Sequence, residues 1–181
     1  MNRALFLDRD GVVNEEVGYL HHSDHVRFVE GIFPLCRTAQ RLGYKLIVVT
    51  NQAGIGRGFY TLEQYQVLTE WIVTQFAGQG IALDDVLFCP YHPVHGLGEY
   101  KREHEDRKPS PGMLLRAART HDLDLTQSIL VGDRCSDIAA ANTAMLRQAF
   151  LIAGTEPGPC PGEFQPITTL SEVEAWIQLH S

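Results

Sequence analysis

The sequence predicts an α/β protein, built as a doubly wound, mostly parallel sheet with helices on both faces and no large cap domain. Two observations carry that expectation. Short apolar runs alternate with amphipathic stretches along the chain, the signature of a parallel sheet covered by helices. The 181 residues are enough for a sizeable core and suit one domain spanning 1–181, with loop insertions at about 15–30 and 90–110.

The first strand is Ala4-Leu5-Phe6-Leu7, an apolar run that reads as buried. It leads directly into Asp8-Arg9-Asp10-Gly11-Val12-Val13-Asn14, where Gly11 lets the backbone turn away sharply. Residues 15–30 show no clear period and are expected as a loop or small lid. Apolar residues at 32, 35, 36, 39 and 42 follow a helical period. A second strand is expected at 46–50. A helix then opens with the capping box Thr61-Leu62-Glu63-Gln64 and runs to about Phe76.

The third strand is placed at 86–89. Residues 90–109 lack a period and hold Gly96, Gly98 and mixed charge, so a second loop above the sheet is expected. Pro111, in a first helical turn after Ser110 as cap, starts a helix through Arg119. A strand at 129–131, a short alanine-rich helix at 136–144 and a strand at 149–152 follow. Residues 154–166, rich in Pro and Gly, read as a connector, and Ser171-Glu172-Val173-Glu174 caps a last helix to Gln178.

Composition limits the function classes. The net charge of -7 argues against a broad nucleic-acid footprint, which needs clustered Lys and Arg. No apolar run approaches a membrane span, and Met1-Asn2-Arg3 enters the first strand without a signal peptide. A cytoplasmic protein is expected, a monomer rather than an oligomer. Cys36, Cys89, Cys135 and Cys160 are scattered with no CxxC pair, so no disulfide framework is expected. Cys36 reads as helix core.

Four polar positions follow strands: Asp8, Thr50, the loop leading to Lys108, and Asp133. Ligands of open α/β sheets bind outside the carboxyl ends of the strands, at a switch point in strand order. Two carboxylates two residues apart suit phosphoryl chemistry, with Asp8 attacking phosphorus and Asp10 protonating the leaving alcohol, then activating water. The plainer reading of Asp10-Gly11 is a turn.

Asp8 and Asp133, with the backbone carbonyl of Asp10, offer the hard oxygens that magnesium takes. Asp137, one helical turn later, is either a first-turn acid favoured by the helix dipole or a group orienting Arg134 or Lys108. Thr50-Asn51-Gln52 offers a hydroxyl and backbone N–H groups to phosphoryl oxygens. The following Gly54-Ile55-Gly56-Arg57-Gly58 is not a dinucleotide fingerprint, since its spacing is wrong and it does not follow the first strand. Lys108 can neutralise charge shared by phosphate and nucleophile, and Arg107 can fork onto a second anion. His21, His22 and His25 read as loop surface.

With these elements assembled, the chain resembles the haloacid dehalogenase superfamily of aspartate-nucleophile phosphatases. Within it, the resemblance is to the branch of the D-glycero-D-manno-heptose 1,7-bisphosphate 7-phosphatases and histidinol-phosphate phosphatases. It is carried by Asp8 to Asn14, Gly18-Tyr19, Thr50 to Ile55 with Arg57-Gly58, Arg107-Lys108-Pro109 with Pro111-Gly112-Met113, and Val131-Gly132-Asp133. It implies magnesium-dependent removal of the 7-phosphate from the heptose bisphosphate through an aspartyl-phosphate, in heptose metabolism serving lipopolysaccharide or capsule.

The implied catalytic residues are Asp8, Asp10, Thr50 and Lys108, with Asp8, Asp10 and Asp133 at the metal. The implied substrate contacts are Glu16, Val17, Gly18, Tyr19, Asn51, Gln52, Ala53, Arg107 and Arg134. Relatives carry a structural zinc on Cys-x-His and Cys-x-Cys. Here Cys89 is kept, but Tyr91, His104 and Asp106 stand at the other positions. A set of Cys89, His92, His104 and Asp106 is chemically conceivable, yet the loop is expected to fold without zinc. The competing readings are a histidinol-phosphate or other small phosphomonoester phosphatase and, outside enzymes, a phospho-accepting receiver-like domain.

Overall fold

The computed structural model describes residues 1–152 and 159–180. Six strands form one sheet: β1 (Arg3–Leu7), β2 (Tyr44–Asn51), β3 (Asp85–Cys89), β4 (Ile129–Gly132), β5 (Gln148–Ile152) and β6 (Gln165–Ile167). Their order is β3-β2-β1-β4-β5-β6, and every neighbouring pair is parallel. The helices are α1 (Ile32–Arg41), α2 (Ala53–Gly56), α3 (Leu62–Gly78), α4 (Gly112–His121), α5 (Cys135–Thr143) and α6 (Leu170–His180).

The uninterrupted apolar runs are explained by burial on both faces. In β1, Leu5 and Leu7 point into a core shared with α1, α3 and α6, while Ala4 and Phe6 point into one shared with α4 and α5. The same alternation recurs in β2, where Leu46 and Val48 oppose Ile47 and Val49. The small side chains Ala140, Ala141 and Ala144 bring α5 close to the sheet. No cap domain interrupts the described residues: after β1 comes a loop with a 3-10 turn at Ser23–His25, and after β3 one with a turn at Gly98–Tyr100.

Local signals set several boundaries as expected. The Thr61 side chain accepts from the Gln64 N–H at 3.1 Å, and Gln64 accepts from the Thr61 N–H at 2.8 Å, closing the capping box of α3. Others shift. Ser110 does not cap α4, because Pro111 occupies the cap position without a side-chain bond. α6 starts at Leu170, and the Glu172 carboxylate reaches back to the N–H groups of Thr168 (2.8 Å) and Thr169 (3.0 Å).

Two elements were not anticipated. α2 is a single turn after β2, and β6, which pairs with β5, begins within the last residues of the segment expected as connector. Residues 154–158 of that connector lie outside the described residues. The expectation of no disulfide is overturned as well: Cys135, the first residue of α5, is bonded to Cys160. Cys36 and Cys89 are free and buried, so Cys36 is core as expected.

Candidate active site

The order of the strands reverses between β1 and β4. The chain leaves β1 toward β2, and it enters β4 from β3. The helices that follow these two strands lie on opposite faces, so a crevice opens at their carboxyl ends. Asp8 and Asp133 stand there, directly after the two strands.

Gly11 adopts φ +89°, and a Cβ at that position would lie 2.3 Å from Asp133 Oδ2. Gly132 is under the same constraint, since its Cβ would meet the Asp137 Cβ at 2.3 Å. The glycines therefore let three buried carboxylates, Asp8, Asp133 and Asp137, bring oxygens within 4.8 Å of one another.

Lys108 is the cation among them. Its Nζ donates to Asp8 Oδ1 (2.9 Å) and to the Val49 carbonyl at the end of β2 (2.8 Å), and pairs with Asp137 Oδ1 at 2.6 Å. The Lys108 backbone is fixed by Asn51, whose amide donates to its carbonyl (2.9 Å) and accepts from its N–H (3.1 Å). The arginine-lysine pair is thus drawn from the loop into the floor of the cleft. Both readings of Asp137 hold, since Oδ2 accepts from the Arg134 N–H at the start of α5 (3.1 Å) while Oδ1 holds Lys108.

Charge is unbalanced here. Burial, then Asp137, pushes the Asp133 carboxyl up to about 6. Burial raises Asp8 well above the ordinary aspartate value, with Asp137 and Asp133 adding to it and Lys108 opposing. Burial works against the Lys108 charge, but Asp137 and Asp8 outweigh it and hold its pKa above that of an ordinary lysine. Three carboxylates against one ammonium, all oxygen donors, suit a hard divalent cation such as magnesium. Asp8 and Asp133 of the expected set are in this cluster, the expected Asp10 ligand is its backbone carbonyl rather than its side chain, and Asp137 is an additional carboxylate beside them.

Asp10 lies at the edge of the same cleft. Its oxygens accept from Arg9 (3.0–3.2 Å), Asn14 (3.0 Å) and Gln52 (3.0 Å), so it is firmly aimed. Gln52 also donates to Thr50 Oγ1 at 2.9 Å and accepts from the Tyr60 hydroxyl. A Cβ at Gly54 would meet the Tyr60 ring at 2.2 Å, which accounts for glycine there.

The cleft has a volume of about 610 Å³. It brings together Asp8, Asp10, Glu16, Gly18, Tyr19, Thr50, Asn51, Gln52, Ala53, Arg107, Lys108 and Arg134. Val17 does not line it; it lines an adjoining surface hollow with His21, His25 and Arg27, which shares Gly18 and Tyr19 with the cleft. Arg57, Tyr60, His92 and Ser136 also line the cleft. Sequence reasoning gave none of these a place in it, although Arg57 stood in the glycine-rich segment already singled out.

The four candidate zinc ligands form no metal-holding group among the described residues. His104 stacks on Tyr91 at 4.4 Å and accepts from the Asp106 N–H (3.1 Å). Asp106 pairs with Arg116 at 2.8 Å, and Cys89 is buried.

Comparison with known proteins decides the family. A family model described as HAD-hydrolase-like matches residues 106–157. A Burkholderia mallei protein, D-glycero-alpha-D-manno-heptose-1,7-bisphosphate 7-phosphatase, is 52% identical over 151 residues, covering 83% of this chain and 80% of that protein. The chain belongs to the haloacid dehalogenase superfamily, in the heptose-bisphosphate phosphatase branch.

A member from Vibrio cholerae, the corresponding beta-heptose phosphatase, is 40% identical over 94% of this chain and 91% of its own length. Among solved structures, D,D-heptose 1,7-bisphosphate phosphatase from B. bronchiseptica, complexed with magnesium and phosphate, superimposes with a TM-score of 0.84. It has 25% identity and 99% coverage of both chains. A HAD-like phosphatase structure from Mesorhizobium loti gives a TM-score of 0.88 at 33% identity, covering 98% of this chain and 87% of that one.

Proposed function

We propose that this protein is a magnesium-dependent phosphatase that removes the 7-phosphate of D-glycero-D-manno-heptose 1,7-bisphosphate through an aspartyl-phosphate. The observation that carries the chemistry is the buried Asp8–Lys108–Asp133–Asp137 cluster, with Asp10 aimed at the mouth of the same cleft. The relatives support the sugar. The greater identity to the alpha-heptose enzyme makes the α anomer the first substrate to try.

Asp8 Oδ1 is held by the Arg9 N–H (2.8 Å) and by Lys108 (2.9 Å), so attack on phosphorus is assigned to Oδ2. The new Asp8–phosphorus bond forms as the bond to the sugar oxygen breaks, and Asp10 gives that oxygen its proton. Asp10, now a carboxylate, takes a proton from water. The resulting hydroxide displaces Asp8 and releases phosphate. Thr50 and Lys108 donate to the phosphoryl oxygens as their charge grows.

Magnesium held by Asp8, Asp133 and the backbone carbonyl of Asp10, with Asp137 beside them, would supply positive charge to the transferring group. Glu16, Gly18, Tyr19, Asn51, Gln52, Ala53, Arg107 and Arg134 are the proposed substrate contacts.

A monomer is part of the proposal, and light scattering on the purified protein tests it. No helix among the described residues is long and apolar enough to cross a membrane. A cytoplasmic setting completes the proposal; the disulfide pulls the other way, since such bonds are rare there, and cell fractionation decides between them. The test of the chemistry is Asp8→Asn, which keeps the shape and removes the nucleophile. Phosphate release from the heptose bisphosphate should fall to background. A variant retaining a substantial fraction of turnover would end the covalent reading.

A further inference from the structure

Gln52 stands between two groups that must each present a hydrogen to the substrate. Its Nε2 donates to Asp10 Oδ2 (3.0 Å) and to Thr50 Oγ1 (2.9 Å), while its Oε1 accepts from the Tyr60 hydroxyl. Both N–H groups of the amide are thereby used. Thr50, Gln52 and Tyr60 are buried, and all three line the cleft.

The orientation of that amide decides what Thr50 and Asp10 offer. Thr50 Oγ1 accepts from Gln52, so its own proton is left for the cleft, with no acceptor among the described residues. Turning the amide over would set Oε1 against both groups. Thr50 would then give its proton to Oε1, and a protonated Asp10 would do the same. Each would be satisfied within the protein and lost to the substrate. The two ends of an amide have nearly the same shape, so packing alone does not forbid the turn.

The Tyr60 hydroxyl does. Against a turned amide it would accept an N–H, and its own proton would have no acceptor among the described residues. A buried donor left without a partner costs more than an ordinary hydrogen bond contributes. The ring is fixed in that place. A Cβ at Gly54 would lie 2.2 Å from it, and the His21 ring stacks on it at 5.5 Å. The Phe59 N–H donates to the Gly54 carbonyl at 2.9 Å, which holds the turn leading to Tyr60. Burial keeps the phenol above the ordinary tyrosine range, against Arg9 and with Asp10, so it stays a donor.

We propose that Tyr60 is a positioning residue of the phosphatase reaction. Its hydroxyl locks the Gln52 amide, so that Thr50 and Asp10 present their protons to the transferring group and to the leaving oxygen. Tyr60 acts only through Gln52. The proposal rests on the aspartyl-phosphate reading above and is independent of the sugar.

The test is Tyr60→Phe, which keeps the ring and removes the hydroxyl. One buried hydrogen bond sets the scale, so kcat should fall about 3- to 10-fold while KM stays within about twofold. The same loss in kcat is expected on heptose 1,7-bisphosphate and on hexose 6-phosphate. If wild type does not favour the heptose bisphosphate, the sugar reading fails, and the hexose phosphate still decides the role of Tyr60. Failure of the aspartyl-phosphate reading shows instead at Asp8→Asn. Orthovanadate, which adopts the five-coordinate geometry of a transferring phosphoryl group, gives a readout without turnover. Its binding to the magnesium-loaded variant, followed by calorimetry, should weaken by the same factor as kcat.

Gln52→Leu separates positioning from a structural role. With no amide to lock, adding Tyr60→Phe to Gln52→Leu should cost less than about twofold more. A merely structural tyrosine would cost the same in both backgrounds. Full kcat in Tyr60→Phe, a raised KM at unchanged kcat, or additive losses in the double variant overturn the proposal.

Discussion

Asp8 and Asp10 are two residues apart and live in different surroundings. Asp8 is buried beside two other carboxylates, while Asp10 accepts from Arg9, Asn14 and Gln52 at the cleft edge. An acid/base group contributes roughly 10²–10⁴-fold to turnover. Asp10→Asn should therefore lower kcat by about that range with little change in substrate binding, and steady-state kinetics beside inhibitor binding checks it. The raised carboxyls give a second expectation. Asp133, pushed from 3.8 to about 6, and Asp8, also raised, bind more protons folded than unfolded. Their contribution to the stability of the metal-free protein is therefore greatest below the unfolded value and is lost as pH rises through their raised folded values. Magnesium competes with those protons, so it should raise the melting temperature more at pH 7.5 than at pH 5, as thermal unfolding at both pH values would show.

Among the elements, α3 gives the plainest stability test at Phe76, which is not among the residues that line the cleft. Phe76 is fully buried and packs edge-on to Phe33 at 5.0 Å and Phe28 at 5.9 Å. Truncating a buried Phe costs about 3–5 kcal/mol. Phe76→Ala should lose about that much in urea unfolding while the surviving folded protein keeps its kcat. The turn between β1 and the substrate loop differs, since Gly11 has both a left-handed backbone and Asp133 against it. Activity and stability are joined there.

At the scale of the whole molecule, the parallel sheet collects groups from distant parts of the chain at one edge, and the Cys135–Cys160 bond ties α5 to the segment before β6. Its ends are 25 residues apart, and native disulfides of small domains typically contribute about 2–4 kcal/mol. Cys160→Ser, or reduction, should lower stability by about that amount. Thiol titration of the unfolded, unreduced protein should find two reactive groups, Cys36 and Cys89; four would disprove the bond.

What the sequence alone determined is local. Apolar runs buried on both faces mark strands, a 3.6-residue period marks helices, and Asp8, Thr50, Lys108 and Asp133 follow strands whose parallel packing gathers them. Those signals lie within a few residues of the positions they specify. The tertiary structure decided whatever depends on which distant segments meet. β6 is only Gln165–Ile167, too short for a pattern, and Pro166 is tolerated because the strand is at the sheet edge. Asp137 reads equally as a helix-capping acid until Lys108 is brought to it. His92 is only a conceivable zinc ligand beside Cys89 in a loop expected to fold without metal, until its own loop fixes its Nδ1 and the cleft takes the ring. The partner of Cys135 was settled in the same way, because four cysteines allow several pairings and only the folded chain selects one.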